Sequence, residues 1–379
     1  MLSRSTSLLS ALDTPRGDRI DGVARFSGWV IPTDATAEWS VELSVDGTPT
    51  ATTMRVLRPD VGLAYPDQVR ATQSGYFGDI VISAAAETKV TVEGTVVFGS
   101  GRREPLFTRS VFVNRSPIPQ FPRRRNFDVD TLLDDSRHRD PSVGADARIP
   151  RRSVIAGVPH FHLGNGLPLI RLLESGATSI YGDLAHQVIR ESDGPVLDFG
   201  AGIKSLEQLH PNVLLLDAVH FPYVDVVNTC PRLPFRDGAF AAVVSQAVFE
   251  HLPDPWQMVK ELGRIVRAGG KLLIDTAFLQ PYHGSPDHYY NMTVSGLRRM
   301  MTGFEILALG VQPYQTPASA FSMQFGHALE VLAEGKWRDL IHAWRQEVVG
   351  DAAGLDRALG PAGIEMLAAG VYVLARKPD

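Results

Sequence analysis

Two periodicities divide this chain, and the second constrains the fold most. After position 154, short apolar runs alternate with stretches patterned for helices. "PVLDFG" (195–200) precedes "SLEQLH" (205–210), and "NVLLLDAV" (212–219) follows. "FAAVVSQA" (240–247) precedes "DPWQMVKELGRIV" (254–266), which leads into "GKLLIDTAF" (270–278). Strands that alternate with helical segments must be joined by crossover connections, which implies βαβ units and a parallel sheet. Further helices are predicted over "LPLIRLLESG" (167–176), "SIYGDLAHQVIRES" (179–192) and "VSGLRRMMTG" (294–303). "FEILALGVQ" and "AAGVYVLARKP" read as the last two strands, and residues 314–367 between them as a helical insertion. The expected unit is an α/β domain over 154–379.

The first part of the chain has a different texture. "ARFSGWVI", "WSVELSVDGTPTATTMRV", "YFGDIVIS", "TKVTVEGTVVFG" and "LFTRSVFVN" are rich in Val, Thr and aromatics and are punctuated by Gly, Pro and Asp. "VELSVDG" alternates in polarity before a hairpin-type Asp-Gly. An antiparallel β-sandwich over 20–115 follows. Residues 1–19 read as a flexible tail and 116–153 as a charged linker with one short helix. Within that linker, Arg123, Arg124 and Arg125 read as a solvated or domain-docking strip.

Bulk properties exclude some classes. A chain of 379 residues that is 44% hydrophobic has room for two cores. A net charge of -5 argues against a broad nucleic-acid face. The single cysteine, Cys230, rules out an internal disulfide and suits a reducing compartment. No secretory signal or membrane span is recognised, so a cytoplasmic location is expected.

In this setting the turn "DFGAG" (198–202) lies at the carboxyl end of a strand, where open α/β sheets bind ligands. Asp198 closes the strand, while Gly200 and Gly202 permit a tight turn. A dinucleotide fingerprint wants a third glycine where Ser205 stands, and Lys204 is a further departure. Asp217 ends the next strand, about 19 residues on, with a carboxylate that can accept both ribose hydroxyls.

The run "NTCPRLPFRDGAFAAVVSQAVFEHLPDPWQMVKELGRIVRAGGKLLI" (228–274) resembles the core of class I S-adenosylmethionine-dependent methyltransferases. The likeness rests on Leu233-Pro234-Phe235, Asp237-Gly238, Glu250-His251, Asp254-Pro255 and "RIVRAGG". It implies a seven-stranded Rossmann-like sheet with helices on both faces, a methyltransferase activity, and S-adenosylmethionine as cofactor with S-adenosylhomocysteine as product. By that resemblance Asp198, Phe199, Gly200, Ala201 and Gly202 wrap the methionine end, and Asp217 and Ala218 take the ribose. Thr229, Cys230 and Pro231 flank adenine, while Ser245 and Gln246 line the methionine side. Ala268 stands where the family has proline, and Thr229 where it has an acidic residue, which leaves backbone groups to contact adenine.

"AFLQPYHGSPDHYYNMTVSGL" (277–297) follows a strand's carboxyl end and resembles a loop in a bacterial subgroup of these enzymes. His283, then His288, then His251 are candidate general bases, because imidazole titrates near working pH. Each could instead orient the loop or the substrate. Tyr282, His283, Asp287, Tyr289 and Tyr290 are expected to meet the acceptor. A zinc site from His283 and His288 is disfavoured by loop-like spacing and the lack of a thiolate, so no metal is expected.

"SGWVIP", "VDGTP" and "SGYFGDI" resemble accessory β-sandwich modules of bacterial surface-glycan transferases, in which Trp29, Trp39 and Tyr65 would either stack on sugars or fill the core. The resemblances together imply O-methylation of a sugar, a glycan or another small hydroxylated metabolite, in glycan or natural-product biosynthesis. A homo-oligomer through the sandwich or the helical insertion is a possible assembly. Two rivals stay open: a methyltransferase-fold binding protein without turnover, and a nicotinamide-dependent oxidoreductase.

Overall fold

In the computed structural model, the described residues are 2–4, 8–15, 17–34, 36–82, 86–114, 125–134, 150–155, 157–163, 167, 169–172, 179–284 and 287–379. Arg123 and Arg124 lie outside them, as does most of the predicted linker.

The amino-terminal part is a sandwich of two sheets. One sheet contains Leu8–Thr14, Val23–Pro32, Gly75–Val81 and Met54–Val56; the other is built on Thr48–Thr52, Trp39–Val45, Thr88–Phe98 and Arg103–Val113. From Val90 on, the strand Thr88–Phe98 alternates buried and half-buried positions, as expected of a strand with one face on a core. Trp29 and Trp39 are 7% exposed, so both belong to the core. The expectation of a flexible tail over 1–19 is corrected: Leu8–Thr14 pairs antiparallel with Val23–Pro32, and Leu8 is buried. Its apolar residues are too few for a strong pattern and gain burial only from the neighbouring strand.

The carboxy-terminal sheet has nine strands rather than seven. In chain order they are β1 (Pro150–Ile155), β2 (Val158–Leu163), β3 (Val196–Phe199), β4 (Val213–Asp217), β5 (Val226–Asn228), β6 (Phe240–Gln246), β7 (Val266–Ala277), β8 (Glu305–Gly310) and β9 (Gly370–Arg376). Their order across the sheet is β1-β2-β5-β4-β3-β6-β7-β9-β8. Strands β2 to β7 pair in parallel, whereas β1, β8 and β9 add antiparallel partners. The six strands read from the sequence are there, and β5, which was not read, completes the seven that the resemblance implied. The extra pair, β1 and β2, comes from the end of the predicted linker and the residues after it.

Every residue of β3 and β4 is buried, because helices cover both faces. Leu197, Phe199, Leu214, Leu216 and Val243 pack with Met258 and Leu262 of α2 (Pro255–Ile265) and with Leu297 and Met300 of α3 (Val294–Met300). The intervening residues Val196, Val213, Leu215 and Val244 pack with Ala185, Val188 and Ile189 of α1 (Asp183–Glu191). Three helices, α4 (Pro317–Val331), α5 (Lys336–Gly350) and α6 (Ala352–Leu367), form the insertion before β9.

The two parts interlock. Leu169–Ile170, predicted as helix, is instead a short strand in the sandwich; Leu169 pairs with Thr52 and with Val219, just beyond β4. The helical spacing there was misleading, because sheet partners from both sides outweigh local propensity. Met54 from the sandwich packs in one cluster with Val219, Phe221, Val224 and Val227. Arg125, the one described member of the basic strip, pairs with buried Asp225, which fits the docking reading.

Candidate active site

The order of the parallel strands reverses between β3 and β6, so the carboxyl ends of these two strands frame a crevice. The turn after β3 fills one side of it. Gly200 and Gly202 have φ of +77° and +61°, a region that glycine enters without penalty. A β-carbon on Gly200 would lie 2.3 Å from Val248, and one on Gly202 would lie 2.4 Å from Ser179 Oγ. The amides of Gly200 and Ala201 donate to the Leu216 carbonyl at 2.9 and 3.0 Å. Gly202 N–H donates to Asp217 Oδ2 at 2.8 Å, and Val219 N–H donates to Asp217 Oδ1 at 2.9 Å. Asp217, at the end of β4, therefore clamps the glycine turn. Loss of hydration pushes its pKa up to about 6 despite these two bonds.

Asp198 and Lys204 form a buried pair. Lys204 is 5% exposed, its Nζ lies 3.2 Å from Asp198 Oδ2, and Tyr181 OH donates to the same oxygen at 2.6 Å. The ammonium also sits 4.0 Å from the centre of the Tyr181 ring. Lys204 is thus an internal partner of the carboxylate that closes β3.

On the far side of β4, Thr229 N–H donates to Phe161 of β2 at 3.0 Å, and Cys230 is buried, which raises its thiol pKa to about 12. Thr229 and Pro231 are exposed beside the crevice. Asn228 Nδ2 donates to the Cys230 carbonyl at 2.9 Å; Asn228 Oδ1 is buried with no partner. On the β6 side, Ser245 Oγ donates to the Phe199 carbonyl at 3.0 Å. Gln246 Nε2 contacts Asp275 Oδ2 at 3.2 Å and Tyr314 OH at 3.0 Å, and Tyr314 OH also bonds to Asp275. Burial raises the Asp275 pKa to about 6.

The loop after β7 brings the histidines together. Ring centroids of His251 and His283 are 5.2 Å apart, and those of His283 and His288 are 4.5 Å apart. His288 is engaged at both ring nitrogens: Nδ1 accepts from His283 N–H at 3.3 Å, and Nε2 contacts Tyr290 O and Asn291 Oδ1. All three contacts are to residues of the same loop. Tyr282 OH donates to Asp287 Oδ1 at 2.7 Å; partial loss of hydration at the hydroxyl, then the Asp287 carboxylate, raise its pKa to about 12 although the residue as a whole is exposed. Tyr282 and Tyr289 are exposed, Tyr290 OH donates to the Pro253 carbonyl, and Tyr282 faces Arg55, Val56 and Gln73 of the sandwich across a narrow crevice.

Most residues singled out from the sequence therefore meet at one edge of the sheet. Sequence reasoning missed Tyr181, Asp275 and Tyr314, which complete polar contacts from remote positions without a recognisable motif. It also gave Glu250 no role, although the "EH" pair marked its position.

Residues 197–274 match the family model described as a methyltransferase domain. An uncharacterized methyltransferase of Mycobacterium sp. (strain JLS) is 42% identical over 14% of this chain and 21% of its own length. A 27-O-demethylrifamycin SV methyltransferase of Amycolatopsis mediterranei (strain S699) is 27% identical over 29% of this chain and 40% of its own length. The chain thus spans about a fifth of the mycobacterial relative and two fifths of the other. Among solved structures, the YcgJ protein from Bacillus subtilis is similar at a TM-score of 0.32 and 15% identity, covering 51% of this chain and 97% of that one. A phosphoethanolamine N-methyltransferase 2 from Haemonchus contortus, solved with S-adenosyl-L-methionine, has a TM-score of 0.32 and 16% identity, covering 52% and 53%. Residues 197–274 thus match a methyltransferase domain, and the strand order that surrounds them is doubly wound.

Proposed function

We propose that the chain is an S-adenosylmethionine-dependent methyltransferase that methylates an oxygen of a small hydroxylated acceptor, such as a sugar, a glycan or a related metabolite. The observation that carries this reading is the clamp between Asp217 and the glycine turn at the β3–β6 reversal, within the residues that match the methyltransferase family. The donor set suits the cofactor. Each oxygen of Asp217 accepts one backbone N–H and keeps a further lone pair for a ribose hydroxyl. Asn228 Oδ1, buried and unpartnered beside the Thr229–Pro231 loop, can accept from an adenine amine in place of the missing acidic side chain.

Bound there, the cofactor would supply an electrophilic methyl group. The protein's task is then to position an acceptor in line with it, exclude water and accept a proton. His283 Nε2 and His251 Nε2 are the ring nitrogens left for that proton, since both Nδ1 atoms are engaged by carbonyls. Tyr282 and Tyr289 line the entry on the sandwich side. The 27-O-demethylrifamycin relative, by its name, methylates an oxygen, which supports an oxygen nucleophile.

The Lys204–Asp198 pair favours a second reading, a binding protein without turnover, because it places a cation beside the position expected for the methionine end. Incubation of the purified chain with S-adenosylmethionine and a panel of hydroxylated acceptors, followed by mass spectrometry, separates the two. Methyl transfer to an acceptor, with S-adenosylhomocysteine formed in equal amount, is the expected result. Binding without product across the panel would favour the second reading.

A further inference from the structure

We propose that Glu250, His251 and His283 form a binding site for one divalent transition-metal ion. A ligating atom of each residue lies within 4.8 Å of the others. The Glu250 side chain is fully buried. Its Oε2 accepts from Thr276 Oγ1 at 3.0 Å, whereas Oε1 has no hydrogen-bond partner and lies 3.9 Å from His283 Nε2. A buried carboxylate oxygen without a donor is costly, so its surroundings call for a cation or a proton.

The two imidazoles are held in the form that ligates. His283 Nδ1 lies 2.9 Å from the Pro281 carbonyl, and His251 Nδ1 lies 2.6 Å from the Asp287 carbonyl. A carbonyl can only accept, so both Nδ1 atoms carry the proton and both Nε2 atoms keep a lone pair. Metal-bound histidines are typically anchored in this way through the second ring nitrogen, and the Thr276 hydroxyl gives the carboxylate the same support. Three lone-pair donors thus converge with no proton assigned between them; an ion held there would take both Nε2 lone pairs, so ligation and acceptance of the acceptor's proton are alternative uses of the same two nitrogens.

Zinc-type ions bind such donors at roughly 2.0–2.2 Å, which requires the trio to draw together by about 1 Å. Two imidazoles and one carboxylate, without thiolate, suit Zn²⁺, Co²⁺, Ni²⁺ or Fe²⁺ and leave at least one position open for water or an acceptor oxygen. His288 is not part of the set, since both its ring nitrogens are taken. From the sequence, a zinc site of His283 and His288 is disfavoured and no metal is expected; the trio proposed here shares only His283 with that pair. Glu250 and His251 reach the site only because β6 and β7 are neighbours in the sheet.

The test uses the full chain without an affinity tag, stripped with a chelator and dialysed. Zn²⁺ is titrated by calorimetry, and Co²⁺ by its visible absorption. One equivalent of either ion should bind. His283→Ala, His251→Ala and the nearly isosteric Glu250→Gln should each weaken Zn²⁺ by more than the roughly 10–100-fold that loss of an outer-shell partner costs. His342→Ala, on the exposed side of α5, should bind as the unmodified chain does. Failure of the chain to bind one equivalent would overturn the proposal. So would equal affinity in a folded His251→Ala, His283→Ala double variant. Titration of the stripped protein with S-adenosylmethionine reads the cofactor site separately, so loss of one site is not mistaken for loss of the other.

Discussion

At the residue scale, the site depends on two aspartates with different duties. Asp198 is bound internally by Lys204 and Tyr181, so it stabilises the end of β3. Removing one member of a buried ion pair strands the other, at a cost of roughly 3–5 kcal/mol. Lys204→Met should accordingly lower the unfolding free energy by about 3 kcal/mol in chemical denaturation. Adding Asp198→Asn should restore part of it, whereas an additive double variant would mean that the two groups do not interact. Asp217 holds the glycine turn through Gly202 and faces the proposed ribose. Neither duty of Asp198 and Lys204 was legible in the sequence. Lys204 stood out as an odd residue, but its partner Tyr181 precedes the glycine turn by a whole helix and shares no motif with it.

At the element scale, the strands and helices of the α/β core were legible because their burial is uniform. β3 and β4 are apolar apart from Asp198 and Asp217, and α2 is capped by Asp254, whose carboxylate accepts the Gln257 N–H at 2.9 Å. Asp254→Ala should cost about 1 kcal/mol through loss of this cap, measured by the same denaturation. Leu169–Ile170 was misread because its partners come from far along the chain, and Leu8–Thr14 because its few apolar residues are buried only by pairing with Val23–Pro32. The histidine loop was legible as a cluster but not as a geometry. Which ring nitrogens are engaged depends on the carbonyls of Pro281 and Asp287, and backbone contacts leave no mark on composition. His283→Ala should lower kcat by roughly 10²-fold while the affinity for S-adenosylmethionine stays within a few-fold. A matching loss of cofactor affinity would make His283 a structural residue.

At the scale of the whole molecule, the sandwich and the α/β sheet share strands and a core cluster, so they should unfold in one calorimetric transition. Their junction carries a buried histidine pair, His160 Nε2 to His220 Nδ1 at 3.0 Å. Burial, with the neighbouring ring adding to it at His160, pulls their pKa values down to about 3 and about 4. Between about pH 6.5 and 4 the unfolded chain binds more protons at these sites, so their contribution falls as the solution is acidified. Asp217 and Asp275, both raised to about 6, act in the opposite direction between about pH 6 and 3.8. The two pairs oppose each other, and stability should change little from pH 7 to 5. Replacing both histidines with glutamine should unmask the aspartates, so that Tm rises on acidification over the same range. An unchanged pH profile would mean that the pair titrates normally. No helix among the described residues is long and apolar enough to cross a membrane.

The central claim is that the glycine turn and Asp217 hold S-adenosylmethionine. Calorimetric titration of the full chain with that cofactor tests it most directly. The account predicts one site per chain, with Asp217→Ala weakening the affinity at least about tenfold, as loss of one charge-assisted contact of roughly 1.5–3 kcal/mol requires. No heat with the unmodified chain, or an affinity untouched by Asp217→Ala, would contradict it.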